Sequence, residues 1–200
     1  MKQQETKKSY TGWIVIGVIV ATILWISGGY NGMVSKQEKA QKQWGNVNGA
    51  YQRRNDLIPN VVAVAKGYAA HEQETLTAVI DARAKASALK IDPSDLTAEK
   101  LEEWKKTQGE LSQALGRLMM IQERYPELKA NEMFLSLQDQ IEGSENRINV
   151  ERNRFDEAVE PFNKAVRHLP GVIIARICGF KPMSYFEAEE GSEKAPKVEF

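Results

Sequence analysis

The sequence predicts an all-α protein: an N-terminal transmembrane helix followed by an antiparallel bundle of three to four long helices. Three observations carry this. A charge-free apolar run from Trp13 to Ser27 stands near the N-terminus; with Gly12 and Gly28 to Tyr30 it reaches roughly the 20 residues a helix needs to cross a hydrocarbon core. Beyond it, four segments place apolar residues at three- and four-residue steps, the period of an amphipathic helix. Charged residues fill 27% of the chain while β-branched runs are confined to two short places, a mix that fits helices with one wet face.

Within the anchor, Trp13, Trp25 and Tyr30 lie near the ends of the run, where amphipathic rings favour the membrane–water interface. Lys2, Lys7 and Lys8 precede it, so the positive-inside rule places the N-terminus in the cytoplasm and the body on the far side, against the opposing pull of Lys36, Lys39 and Lys42. A cleaved signal peptide is the competing reading, since Ser27 and Gly29 offer small residues before a cut. The length of the run and its aromatic ends favour an uncleaved anchor. Gly28, Gly29 and Gly32 follow a span rather than a strand, so they read as a flexible exit and not as a phosphate loop. The chain thus divides into an N-terminal tail (1–11), the transmembrane helix (12–30), the bundle (31–183) and a mobile, acidic C-terminal tail (184–200).

The first bundle segment, about Val34 to Leu57, sets Trp44, Val47 and Tyr51 on one face. Pro59 removes a backbone donor and disfavours helix at Ile58, marking a kink or a turn. A second helix is predicted from about Asn60 to Leu89. Asp92 before Pro93, with Asp95 in the next turn, opens a third carrying Leu101, Trp104, Leu111, Leu115, Leu118 and Ile121, and Pro126 closes it. Asn131 caps a fourth, with Phe134, Leu137, Ile141, Ile148, Phe155, Val159, Phe162 and Val166 inward, and Pro170 and Gly171 end it. The short apolar stretch from Gly171 to Pro182 packs on the end of the bundle.

Opposite charges balance at 27 each, and no aromatic–basic interleaving occurs, so nothing points to nucleic acid. The one cysteine, Cys178, excludes an intrachain disulfide and reads as a small apolar filler. No serine or cysteine sits in a strand-to-helix elbow, so no nucleophilic enzyme is expected, and no cofactor either.

The stretch RRNDLIPNVVAVAKGYAAHE, Arg53 to Glu72, is the densest in candidate chemistry. On a helix from Asn60 to Leu89 the inward stripe runs through Val62, Ala65, Ala69, Glu72, Leu76, Val79, Arg83 and Ala86, so two charges fall on the seam. Lying eleven positions apart, about 16 Å, they cannot pair with each other. The fourth helix lapses in its own stripe at Ser144–Glu145 and at Arg152. The expectation is a polar layer or partner-binding face drawn from Arg53, Arg54, Asp56, Asn60, His71, Glu72, Arg83, Glu145 and Arg152, in which paired charges fix register between helices. Removing Glu72 or Arg83 is then expected to cost about 3–5 kcal/mol.

Sharper readings fit less well. A metal site on His71, Glu72 and Glu74 lacks a second Glu-x-x-His motif, and the other histidine, His168, is far along the chain. HEQET lacks the second histidine of a zinc protease. Arg53 and Arg54 offer phosphate or lipid headgroups a pair of cations, but beside Asp56 they read as a compensated surface.

Three stretches, YQRRNDLIPNVVAVAKGYAAHEQETLTAVIDARAKA, ALGRLMMIQERYPELKANEMFLSLQDQIEGSENRINVERNRFDEAV and ARICGFKPMSYFEA followed by APKVEF, closely resemble the LemA family of bacterial membrane proteins, from about Tyr30 to Phe200. The resemblance implies an N-terminal membrane helix carrying a helical bundle in the bacterial cytoplasmic membrane, with no established enzymatic activity. A magnetosome-building relative implies membrane organisation as a role. The expected function is therefore a non-catalytic scaffold or adaptor in membrane organisation or envelope maintenance. Its partners would be the lipid bilayer and further copies or other membrane proteins. The alternative is a ligand or metal sensor using the face from Arg53 to Glu74. One departure stands out: where the family has a tyrosine–asparagine pattern, this chain reads RFDEAVEPFNKAV, and Pro161 should kink or split the last helix.

Overall fold

The apolar run does not end where the bundle begins. In the computed structural model, which describes residues 11–186, helix α1 runs unbroken from Thr11 to Tyr68, 58 residues and about 87 Å long. Residues 1–10 and 187–200, which hold most of the two expected tails, lie outside it. The rest of the chain follows as α2 (Gln73–Ala88), α3 (Ala98–Ile121), a single-turn α4 (Pro126–Lys129), α5 (Glu132–Arg167) and α6 (Gly171–Cys178). No strand occurs among the described residues, and the all-α prediction holds. Helices α1 and α5 lie side by side through most of the bundle, with α2 against both α1 and α3.

From Trp13 to Trp25 every residue of α1 is exposed, so the described residues cover none of this apolar surface. The helix satisfies its own polar groups here: the Thr22 hydroxyl donates to the Val18 carbonyl at 2.8 Å. Gly28, Gly29 and Gly32, expected as a flexible exit, are helical instead. At Gly29 the missing side chain has a purpose, because a Cβ there would lie 2.3 Å from Ile174 Cδ1 of α6.

Pro59 also lies inside α1 and makes neither a turn nor a break. Its lost N–H would orphan the Asn55 carbonyl, four residues back. Arg83 of α2 fills the gap, its Nε donating to that oxygen at 2.9 Å. The predicted second helix is therefore two pieces. Residues 60–68 continue α1, and the chain reverses at Ala69–Glu72 before α2 begins. Only Gly67 weakens helix there; the reversal lets Leu76, Val79 and Ala86 bury against the neighbouring helices.

The other boundaries follow local chemistry. Asp92 accepts from the Ser94 amide but caps only a 3₁₀ turn, Pro93–Asp95, and α3 starts later, where the Thr97 hydroxyl accepts from the Lys100 amide. Asn131 caps α5 as expected, its Oδ1 taking the Phe134 amide at 2.9 Å. Pro161 neither splits nor ends α5. The Glu157 carbonyl that loses its donor belongs to an exposed residue, on the side of α5 open to solvent. Cys178, expected as a small apolar filler, is exposed.

The core is divided. One cluster joins Met33, Trp44 and Tyr51 of α1 to Trp104 of α3 and Phe155 and Phe162 of α5. The other joins Ile58 and Val61 of α1 to Leu76 and Val79 of α2, Leu111 and Leu118 of α3 and Phe134 of α5. The first includes Met183 and Phe186, so residues 184–186, expected to begin a mobile tail, return to the bundle. Asn163 clamps that strap from both sides: its Nδ2 donates to the Met183 carbonyl and its Oδ1 accepts from the Met183 amide, each at 2.8 Å.

Candidate functional site

Between the two clusters, along α1, α3 and α5 alike, the apolar stripe is interrupted at one level. On α1 the interruption is Arg54, fully buried between Tyr51 and Ile58. On α3 it is Gln108 and Ser112, and on α5 Ser144 and Glu145. Arg54 joins all three helices. Its Nη1 donates to Ser112 Oγ and to Glu145 Oε1, both at 2.7 Å, and its Nη2 to Gln108 Oε1 at 2.8 Å. The guanidinium carbon lies 5.1 Å from the centre of the Tyr51 ring. Gln108 passes the network on to α2 through the Ala86 carbonyl at 3.4 Å. Two buried atoms of the layer, Arg54 Nε and Asn55 Oδ1, have no hydrogen-bond partner among the described residues.

A groove of about 710 Å³ opens between α3 and α5 above this layer, with Lys105, Gly109, Gly116, Glu145, Asn149 and Arg152 along its walls. Glu145 keeps 37% of its side chain exposed there, so the ion pair is buried on the arginine side and wet on the carboxylate side. Arg152 lies with its guanidinium carbon 4.8 Å from the centre of the Phe186 ring. Next to it, burial pushes the Asp156 carboxyl above its ordinary range, against the opposing pull of the Phe186 amide and of Arg152 and Lys105.

The predicted site residues disperse around this layer. Arg54 and Glu145 meet in it, and Arg83 touches its edge at the Asn55 carbonyl. Arg53, Asp56 and Asn60 are exposed on the outer side of α1, with Asp56 accepting from Gln52 at 2.8 Å. His71 is exposed in the reversal after α1, and Glu74 is exposed at the start of α2. Among the described residues no three His, Cys, Asp or Glu side chains converge as a metal site would require. Trp13, Trp25 and Tyr30 are exposed on α1, and the Tyr30 ring lies 5.6 Å from that of Phe180.

Glu72 is the clearest correction. It precedes α2 at the far end of the bundle and not on a mid-helix seam. It takes Arg124 Nη2 at 3.0 Å and the Tyr125 hydroxyl at 3.1 Å, tying the reversal to the end of α3. Burial first, and then this carboxylate, raise the Tyr125 hydroxyl above its usual range. Because Arg124 is 65% exposed, Glu72→Ala should lose less than about 1 kcal/mol in urea unfolding; a loss near 3 kcal/mol would restore the buried-pair reading.

Three further polar residues of the interior are readable in retrospect. Gln108 stands on the stripe between Trp104 and Leu111, Glu151 between Ile148 and Phe155, and Asn163 between Val159 and Val166. Glu151 is buried and takes Gln43 Nε2 of α1 at 2.7 Å and Arg154 Nη1 at 2.9 Å.

These features define a class: a helical bundle carried on one long helix whose leading third is apolar and uncovered, pinned internally by a polar layer. The chain belongs to the LemA family, which it matches over residues 43–200. The magnetosome protein MamQ of Magnetospirillum gryphiswaldense is 27% identical over 192 residues, 88% of this chain and 71% of that protein. MamQ 2 of Paramagnetospirillum magneticum is 26% identical over the same shares. Protein LemA of Metamycoplasma hominis is 22% identical over 163 residues, 82% of this chain and 71% of its own.

Proposed function

We propose that this protein is a membrane-anchored scaffold or adaptor without catalytic activity, which holds its bundle at a fixed attitude to a bacterial cytoplasmic membrane. One observation carries the reading. The apolar, uncovered segment and the first bundle helix are a single α1, so no hinge separates anchor from bundle. Residues 12–30 span about 28 Å as helix, close to the hydrocarbon thickness. The polar layer supports the same reading, because its charged groups are consumed in joining helices. Similarity to proteins named for the magnetosome favours a role in organising membranes.

In this arrangement the N-terminus lies in the cytoplasm and the bundle outside, presenting the α3–α5 groove to further copies or to other membrane proteins. The test uses the full chain in cells. A photocrosslinking residue at Gln113, exposed on the groove wall, is expected to yield discrete higher-mass adducts. A cysteine at exposed Ala70, in a Cys178→Ser background, is expected to react with a membrane-impermeant maleimide in intact cells. A strictly monomeric protein with no adduct would overturn the scaffold. Labelling only after lysis would reverse the orientation.

A further inference from the structure

Helix α6 is short, and its two faces differ in what covers them. Ile174 and Ala175 are buried, with Ile174 seated on Gly29 of α1. The opposite face carries Ile173 at 47% exposure and Ile177 at 70%, four residues apart, and Leu169 in the preceding turn is exposed at 77%. Ile173 and Ile177 stand one helical turn apart on α6, and with Leu169 in the turn before it they are apolar side chains that none of the described residues covers. A contiguous cluster of exposed aliphatic side chains is unusual on a surface facing water.

The position of α6 says what covers this cluster. It docks on α1 at residues 29–33, through Ile174 at Gly29 and through Gly171, whose added Cβ would lie 3.0 Å from Met33 Cε. That is the rim of the uncovered apolar stretch of α1. A crevice of about 500 Å³ there has Leu24 and Trp25 on one wall and His168 and Leu169 on the other. The apolar edge of α6 is therefore continuous with the surface that α1 offers to lipid. Charge agrees with this. Residues 161–186 contain Lys164, Arg167, Arg176 and Lys181 and no acid. Arg167, Arg176 and Lys181 are exposed around α6, where they meet phosphate oxygens of headgroups, and acidic residues resume only at Glu187.

We propose that α6 is a second membrane contact: it lies in the interface with Leu169, Ile173 and Ile177 among the upper acyl chains and its cations at the headgroups. The proposal rests on α1 being the anchor. Two contacts, one through the bilayer and one along it, prevent the bundle from rotating about the axis of α1 or tilting away from the membrane.

Cys178, exposed on α6 and alone of its kind in the chain, is the natural probe. The full-length protein, labelled there with an environment-sensitive nitrobenzoxadiazole dye, is reconstituted into phosphatidylcholine–phosphatidylglycerol vesicles. Two reference positions in a Cys178→Ser background, Val20→Cys and Ala70→Cys, report the anchor and the far end of the bundle. The dye at Cys178 is expected to be quenched by lipids spin-labelled near the headgroup, with iodide quenching several-fold weaker than at position 70. Ile173→Glu with Ile177→Glu should abolish both effects while the dye at position 20 stays buried in lipid. Iodide access at Cys178 equal to that at position 70, with position 20 still lipid-quenched, would overturn the α6 contact and leave the anchor standing. Loss of lipid quenching at position 20 would overturn the anchor. Efficient Cys178–Cys178 disulfide formation in unlabelled protein would instead mean that a second copy of the chain covers this edge, and would also overturn the proposal.

Discussion

Replacing Arg54 with methionine should remove about 3–5 kcal/mol of unfolding free energy, because it strips a buried network of the cation that joins Gln108, Ser112 and Glu145. The methionine keeps the apolar stem over Tyr51 but leaves Gln108 and Ser112 without the donor they share. Gln108 is 4% exposed, so water cannot readily take over. Glu145, by contrast, turns to the groove and rehydrates. The asymmetry orders the single variants. Glu145→Ala should be at least as damaging as Arg54→Met, since it leaves a guanidinium buried without a countercharge, whereas the reverse leaves a carboxylate facing solvent. A triple variant, Arg54→Met with Gln108→Leu and Glu145→Leu, should regain most of the loss by fusing the two apolar clusters. Urea unfolding of the full chain in micelles measures all three. A loss under about 1 kcal/mol for Arg54→Met would show the layer to be solvated.

The layer also shows where sequence reading reached its limit. Periodicity placed a polar layer in this bundle and found Glu145 as a lapse in the fourth helix. Arg54, which beside Arg53 and Asp56 reads as part of a compensated surface, is fully buried. Periodicity put the other seam charges at Glu72 and Arg83. That followed from treating Asn60 to Leu89 as one helix. The reversal at Ala69–Glu72 has no proline and only one nearby glycine; alanines there favour helix, and burial of Leu76 and Val79 overrides them. Pro59 misled in the opposite sense. A proline inside a helix is disfavoured by its ring's clash with the carbonyl four residues back and by leaving that carbonyl orphaned; the remedy for the orphan, Arg83, comes from another helix and lies beyond local reading. Long helices and caps such as Asn131 were legible because they depend on neighbours in sequence. Phe186 was not. It stands just before a stretch with tail-like composition and is held by Asn163, 23 positions earlier, through the strap at Met183.

Trp44→Ala is expected to be the other severe substitution, at about 3–5 kcal/mol. Trp44 is fully buried and its ring centre lies 5.2 Å from that of Trp104, 5.6 Å from Phe155 and 5.9 Å from Phe186. One side chain thus joins α1, α3, α5 and the C-terminal strap, and its Nε1 reaches the Ile91 carbonyl before α3 at 3.4 Å. Removing it leaves a void that none of these elements can close without disturbing the others. The loss should not stay local. Helices α1, α3 and α5 each contribute to both clusters, so the near half cannot melt without withdrawing helix from the far half. Urea unfolding should accordingly remain a single transition, with amide protection falling together around Phe155 and around Phe134. Protection lost only around Phe155 would mean that the Arg54 layer divides the bundle into two cooperative units, and that continuity of the helices does not couple them.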